Sequence, residues 1–399
     1  MGKEWLSSKE AARRLGVSSA TLYAYVSRGL LRSEGSNGQR ERRYSADDVA
    51  GLKRRRDVGR KASSIAANAL DFGTPVLESS LTLIEQGRLY YRGWDATELA
   101  RGSSLERVAQ LLWQCDERPF DEKNLPSMSN TLRQAWQAAA ALAPVDRCLL
   151  LLPAAARWDH PSWVEDRGAM LETGVRILRL LTAAVTLEPL SALPVHEQLA
   201  AAWTVPADKV PLIRAALVLS ADHEFNASTF AARVVASTGA NLHGSTIAGL
   251  AAINGPRHGG LTRRVTALFD SLKAEADVEA TLRRRLADED LPGFGHPLYP
   301  DGDVRAATLL ELLRETGANA PELAFAERIA QAGEHLTGRK PNLDFATVTI
   351  ERVLGLPQDS ALAMFLLGRT VGWIAHAIEQ SDGSLIRPRA RYTGPRPTT

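Results

Sequence analysis

The sequence predicts a mainly α protein, a large helical body preceded by a small basic head. Three observations predict it. Long Ala/Leu-rich helical periods recur over most of the chain, polar Gly- and His-containing motifs fall between them, and charge is unevenly divided. The 399 residues are 45% hydrophobic, 24% charged and 6% aromatic, which excludes disordered, collagen-like and disulfide-scaffold classes and suits two or three domains. Formal net charge is +2. Residues 1–61 nevertheless hold fifteen Lys and Arg against seven Asp and Glu. A net +8 head on a −6 body is the balance expected of a nucleic-acid-binding module joined to something else, or of a solvated basic surface. Cys115 and Cys148 are too few for a disulfide framework and read as small apolar side chains in a reducing compartment. No secretory signal is expected after Met1, and no run is read as the ~18 apolar residues of a membrane span. A cytoplasmic location with no membrane partner follows as an expectation.

In the head, Ser7 and Glu10 suit a capping box that opens a short helix with Ala11, Ala12 and Leu15 on its apolar side. Gly16-Val17-Ser18 ends it and caps a second helix, which turns Leu22 and Val26 inward and stops at Gly29. Thr21, Tyr23, Tyr25 and Arg28 remain on or near the outward side, where DNA would be touched. Gly35-Ser36-Asn37-Gly38 turns between segments that can pair as a two-stranded wing. Arg40, Arg42 and Arg43 flank that turn as phosphate contacts. Ser45 to Asp48 caps a third helix through Val49 and Leu52. The string SSKEAARRLGVSSATLYAYVSRGLL with RRYSADDVAGL resembles the winged helix-turn-helix of the mercury-resistance-regulator and excisionase families. That resemblance implies a DNA-binding domain over 1–57. Tyr23 stands where many such regulators carry Arg, and the alternative is a module reused for protein contacts.

Residues 58–72 read as a linker, and from Gly73 onward the pattern changes. β-prone pieces at Ser80–Ile84 and Arg88–Tyr91 give way to helical periods at Leu105–Gln114, Leu132–Leu142, Gly168–Thr186, Val210–Ala221 and Ser228–Ser237. Further periods follow at Thr262–Leu286, Val304–Thr316, Leu323–Gln331 and Ala361–Gln380. Three loops stand out between them. His258 lies in Gly255-Pro256-Arg257-His258-Gly259-Gly260, and His296 in Gly293-Phe294-Gly295-His296-Pro297-Leu298-Tyr299. Asp344 lies in Lys340-Pro341-Asn342-Leu343-Asp344-Phe345, ahead of the β-branched run Thr347–Ile350. Glycines let backbone approach a ligand and leave an imidazole exposed in a cleft, while an Asp after Asn is also the mark of a helix cap. Neither histidine has partners at metal-ligand spacing, so no metal is expected.

Together, and in this order, these motifs resemble the citrate synthase family. Leu81–Gly93 resembles its amino-terminal segment, Ala221–Phe230 its substrate-histidine helix, and Gly368–Trp373 with Ile386–Arg389 its late arginine motifs. The resemblance implies large and small helical domains over 73–399, the small one approximately 258–350. It implies a tricarboxylic acid cycle acyltransferase that condenses acetyl-CoA, a co-substrate, with oxaloacetate and needs no cofactor. Catalysis would fall to Asp344 as base, His258 as donor to the thioester oxygen through a tautomer fixed by a backbone partner, and His296 as donor to the ketone oxygen. Arg305, Arg369 and Arg387 would clamp carboxylates, with His223 a further contact. Arg387 would reach a neighbouring subunit's site, implying a homodimer. Three positions depart from the usual pattern, namely Ser220 in place of His, Leu261-Thr262 in place of Ala-Asn, and Val304 in place of Pro before Arg305. Two other readings stay open. One is a 2-methylcitrate synthase using propionyl-CoA, and the other a DNA-binding regulator whose body senses a ligand.

Overall fold

The computed structural model describes residues 5–27, 31–35, 42–46, 48–50, 52–53, 77–156, 166–287, 289–317, 320–390 and 392–395. The chain divides into two compact units, Met1–Glu78 and Ser79–Thr399. The expected linker at 58–72 lies outside the described residues, as do Arg28, Gly29, the Ser36–Gly38 turn and Arg40.

In the first unit, Ser7 accepts the Glu10 N–H at 3.3 Å and opens the helix Ser8–Leu15, which Gly16 ends at a φ of 63°. The second helix is Ser19–Ser27. Strands Ser33–Glu34 and Arg43–Ser45 pair antiparallel as the expected wing. A third strand, Trp5–Ser7, pairs with Arg43–Ser45 on its other edge and was not read from the sequence. Three residues are too few to show a period of two. Asp48 binds the main-chain N–H and the guanidinium of Arg32, tying the wing to the helical residues 48–50. Leu6, Ala11, Leu15, Leu22, Leu31, Tyr44, Val49 and Leu52 form the core.

The second unit opens with a hairpin, Thr82–Glu85 against Arg88–Tyr91, extended by Trp94–Asp95. Its two-residue turn, Gln86-Gly87, has both φ values positive, the geometry that matches strand twist. Helices then follow. The predicted Thr262–Leu286 period is two helices, Leu261–Leu272 and Val278–Arg285, because Asp277 caps the second by accepting the Ala280 N–H. Pro153 does not break its helix, which runs Pro144–Ala156. Leu242–Ile253 escaped the sequence reading because Gly244, Ser245, Thr246 and Gly249 are poor helix formers. Burial secures it, with the Thr246 hydroxyl donating to the Leu242 carbonyl. The β-branched run 347–350 is also helical, within Leu343–Leu354, and the Thr347 and Thr349 hydroxyls bond carbonyls four residues back.

The core is organised by the helix Ser360–Ser381, buried almost along its whole length. By length and composition it is apolar enough to cross a membrane, correcting the reading that no run approaches a span. Its apolar window is buried inside the protein throughout, which makes it a core helix here. Gly368 and Gly372 face the end of the helix Val210–Leu219 and the turn after it. A Cβ on Gly368 would stand 2.8 Å from Ser220 Cβ, and one on Gly372 2.6 Å from Asp222 Oδ1. Gly372→Ala should therefore cost about 1–3 kcal/mol by overpacking. Gly102→Ala, with nothing within 4 Å of the added carbon, is the control that stays neutral in the same chemical denaturation. Equal stability of the two variants would contradict the close approach.

Candidate active site

The site is assembled from three loops that share backbone hydrogen bonds. Asn342 caps Leu343–Leu354 by accepting the N–H groups of Asp344 and Phe345. Its own N–H donates to the Gly293 carbonyl at 2.9 Å and its amide to the Gly295 carbonyl at 3.1 Å. The Gly295 N–H donates to the Lys340 carbonyl at 2.8 Å. Gly293 and Gly295 have φ of 87° and 74°, a region other residues rarely adopt, so the His296 turn follows from these glycines. The bland reading of Asn342 as a helix cap thus holds together with the placing of Asp344 in the helix's first turn.

Asp303 draws in the third piece. It caps Val304–Glu315, accepts the Leu343 N–H at 3.1 Å, and forms a two-pronged ion pair with Arg305 at 2.8 and 2.9 Å. Burial disfavours both charges, yet the opposite charge and its hydrogen bonds together outweigh it, holding Asp303 below and Arg305 above their ordinary ranges. Arg305 lies over the Tyr299 ring at 5.3 Å. Tyr299 meets His223 Nε2 at 3.0 Å, and the rings of His223 and His296 stand edge to face at 4.9 Å. His223, His296 and Arg305 are therefore one cluster, as the sequence motifs suggested.

Arg369 projects from the central helix, wholly buried, with its Nε donating to the Ser220 carbonyl at 2.8 Å. Its Nη1 has no hydrogen-bond partner among the described residues. Burial lowers the guanidinium only to about 10, so it stays charged at neutral pH. The departure at Ser220 takes no side chain into the site, because that hydroxyl donates to the Ala216 carbonyl within its own helix. Thr262, the second departure, donates to the Gly259 carbonyl and closes the His258 turn.

In the site three imidazoles are shifted down and the Asp344 carboxyl up. Burial, then Arg369, lowers His258 to about 4. Burial, then Arg305, lowers His296 to about 4 and His223 well below the usual range. All three rings are neutral at physiological pH. His296 Nδ1 accepts the Leu298 N–H at 3.2 Å, so the proton of its neutral ring sits on Nε2. His258 Nε2 lies 2.7 Å from the Ser228 hydroxyl, a side-chain partner in place of the backbone group expected from the sequence. Burial pushes the Asp344 carboxyl up to about 7, against the opposing pull of Arg305 and with a further rise from Asp303. The site thus holds a weakly acidic carboxyl, two buried cations and neutral imidazole donors, a set able to take a proton from carbon while stabilising oxygen charge.

Arg387 is not brought into this cluster, being exposed on a stretch without regular structure. Sequence reasoning missed Tyr299, Asp303 and Ser228 as site residues. Tyr299 and Ser228 sat inside motifs already singled out and Asp303 two residues before Arg305, and the spacing of Tyr299 to His296 and of Asp303 to Arg305 was an available signal. Among the described residues no group of three or more His, Cys, Asp or Glu could hold a metal ion.

A second candidate surface lies in the first unit. Tyr23 is 50% exposed and Arg42 lies over its ring at 5.8 Å, with Arg43 exposed beside it. Thr21 is spent on the helix cap, bonded to Ser18, and Tyr25 is half-buried against the core. Arg28 and Arg40 lie outside the described residues.

Comparison with known proteins identifies both units. The citrate synthase C-terminal domain profile matches residues 70–389, and a helix-turn-helix domain profile matches residues 5–57. Citrate synthase 2 of Bacillus subtilis is 30% identical over 358 residues, 81% of this chain and 95% of that protein. 2-Methylcitrate synthase 2 of Corynebacterium glutamicum is 29% identical over 354 residues, 79% of this chain and 91% of its own. The ternary complex of carboxymethyl coenzyme A and oxaloacetate with citrate synthase from Thermoplasma acidophilum superimposes with a TM-score of 0.71 at 26% identity, covering 82% of this chain and 96% of that one. The chain belongs to the citrate synthase family of acyltransferase enzymes, with a helix-turn-helix domain at its amino-terminal end.

Proposed function

We propose that the chain condenses acetyl-CoA with oxaloacetate and hydrolyses the citryl thioester to citrate and CoA. The observation that carries the reading is a buried carboxyl in the first turn of a helix, pushed up to about 7 by burial against the pull of two buried arginines, Arg305 and Arg369. Asp344 removes a proton from the thioester methyl group as His258 hydrogen-bonds the carbonyl oxygen, so an enol forms instead of a free enolate. The enol carbon attacks the ketone carbon. His296, its proton on Nε2, donates to the ketone oxygen as that becomes an alkoxide. Water then cleaves the citryl thioester, releasing CoA. Arg305 and Arg369 hold the substrate carboxylates with His223, and Arg369 Nη1 is the buried donor in need of a partner. Arg387 completes the site of a neighbouring subunit in a homodimer. Closure of the small domain, approximately 258–350, over bound oxaloacetate excludes water before acetyl-CoA reacts. No cofactor enters these steps, and the reaction suits the cytoplasm.

The relative named a 2-methylcitrate synthase keeps propionyl-CoA open as donor. One methylene shifts selectivity by only ~1–3 kcal/mol in an apolar pocket. Thiol release from purified protein, with acetyl-CoA and propionyl-CoA in parallel, decides it. Release must require oxaloacetate and fall by at least about a thousandfold in Asp344→Ala. Wild-type protein that folds and releases no thiol from either donor overturns the proposal and moves the body to ligand sensing.

The exposed Tyr23–Arg42 pair and the helix-turn-helix match support DNA binding by the first unit. Retention of a random-sequence duplex across a salt series is the test. Arg42→Ala should weaken it uniformly across sequences and reduce the salt slope by about one. Retention unchanged in Arg42→Ala and Arg43→Ala contradicts the reading, and retention that responds to oxaloacetate marks the body as a sensor.

A further inference from the structure

We propose that Arg263 is a positioning residue for the reaction: by gripping Asp359 and Asn254 together it seats the His258 turn on the central helix, and so fixes where that imidazole meets the thioester oxygen. The inference rests on the reading of His258 as donor to that oxygen.

The His258 turn holds its own shape. Inside it the Gly260 N–H donates to the Ile253 carbonyl at 3.0 Å and the His258 N–H to the Gly255 carbonyl at 2.9 Å. Its seat on the central helix is a separate matter. A Cβ on Gly259 would stand 3.1 Å from Leu362 Cδ1, and the His258 ring meets Phe365 edge to face at 5.8 Å. Those contacts are apolar, and apolar contact is not directional. Arg263, in the first turn of the helix Leu261–Leu272, supplies directed bonds. Its Nε and Nη2 fork onto the two carboxylate oxygens of Asp359 at 2.9 and 3.2 Å, and its Nη1 donates to Asn254 Oδ1 at 3.2 Å. Among the described residues no other hydrogen bond joins residues 254–263 to residues 359–365.

Asp359 is not spent on capping. An Asp at a helix start ordinarily caps it, but this one makes no side-chain cap bond, and the Ala361 N–H is met instead by Glu351 Oε2 at 2.7 Å. Its backbone is left-handed at a φ of 67°, a conformation Asp and Asn adopt more readily than most residues. The Asp359 side chain is 15% and the Arg263 side chain 44% exposed, so the pair is partly sheltered, and its two-pronged geometry suits it to hold a position. Just beyond Asp359, the residues Leu362, Phe365 and Arg369 follow at intervals of three and four and share one face of the central helix. Gly259 and the His258 ring lie against the first two of these, and the Arg369 guanidinium lies over the Phe365 ring at 5.1 Å. Arg263 thus pins one end of a row whose other end is the substrate clamp. Without it the His258 backbone can shift along that row while Ser228 still holds the ring at Nε2, so the donor bond is bent rather than lost.

A double-mutant cycle on the full chain tests the tie. Arg263→Met should lower kcat by about tenfold, with KM for oxaloacetate within about twofold of wild type, because Arg305, Arg369 and His223 are untouched. Arg264→Met removes the neighbouring arginine of the same helix, similarly exposed and 3.7 Å from Glu289, and should leave kcat unchanged. In His258→Asn protein, Arg263→Met should cost less than about twofold in the residual rate, since Arg263 acts only through His258. An arginine that merely stabilises the fold would cost as much with His258 absent as present. Where the residual rate is too small to read, the isotope effect with trideuterated acetyl-CoA replaces it, and should be larger in Arg263→Met than in wild type because proton removal has become slower. Should Arg263→Met fail to fold, Arg263→Lys keeps a charge beside Asp359 without the fork and takes its place. A wild-type kcat, a loss confined to KM for oxaloacetate, an additive cycle or an unchanged isotope effect overturns the tie. His258→Asn separates the two claims: wild-type thiol release from it overturns the donor reading itself, whereas lost release with an additive cycle overturns the tie alone.

Discussion

The glycine-mediated approach of the central helix to residues 217–222 is the constraint on which the rest of the site depends. Gly368 and Gly372 bring that helix's backbone against Leu217, Ser220, Ala221 and Asp222 with no side chain between. Arg369 can then reach the Ser220 carbonyl, and His376 can reach Asp222 Oδ2 at 3.2 Å. Arg233 holds the other face of His376 at Nδ1 and pairs with Glu379, which also accepts from Ser80. His223 follows Asp222 directly, so its place is set by this buried polar frame before any substrate arrives. Such a network is costly unless every member is met. Among its members that are described, Arg369 Nη1 and Asp222 Oδ1 lack a hydrogen-bond partner.

Electrostatics divides the site by the same means. Burial works against every charge in it, and Asp303 and Arg305, paired with each other, are held in their charged forms beyond their ordinary ranges. Asp303 keeps its charge through Arg305, whereas Asp344 has no such partner bond and rises toward 7. The first-turn position of Asp344 favours its anion. Desolvation is the larger effect, and the balance leaves a carboxylate that is basic yet still ionised above neutrality. The histidines respond in the opposite sense, losing their protons to burial and to the nearby arginines, and so are neutral.

Much of this was legible in the sequence where a residue type answers a local need. Gly16, Gly87, Gly293 and Gly295 all adopt the positive φ that glycine alone takes easily, and Ser7 and Asn342 are caps. The His258, His296 and Asp344 loops were visible by their composition. The strand Trp5–Ser7 and the helices Leu242–Ile253 and Leu343–Leu354 were not, because tertiary burial overrides their weak or contrary propensities. The membrane-like composition of Ser360–Ser381 was overlooked because Gly, Arg and His interrupt it, and those interruptions are the residues that build the site. Ser228 was hidden for another reason: its partners are 30 and 145 residues away.

The pH dependence of kcat/KM tests the central claim most directly, because it reads the base in the free enzyme. If burial makes Asp344 the base with a carboxyl near 7, the rate rises about tenfold per pH unit below that point and levels above it. Burial holds His258 and His296 at about 4 and His223 well below the usual range, so they add no inflection in the neutral range. A profile flat from about pH 5 to 9, or one whose rise is complete below about pH 5, would contradict the account.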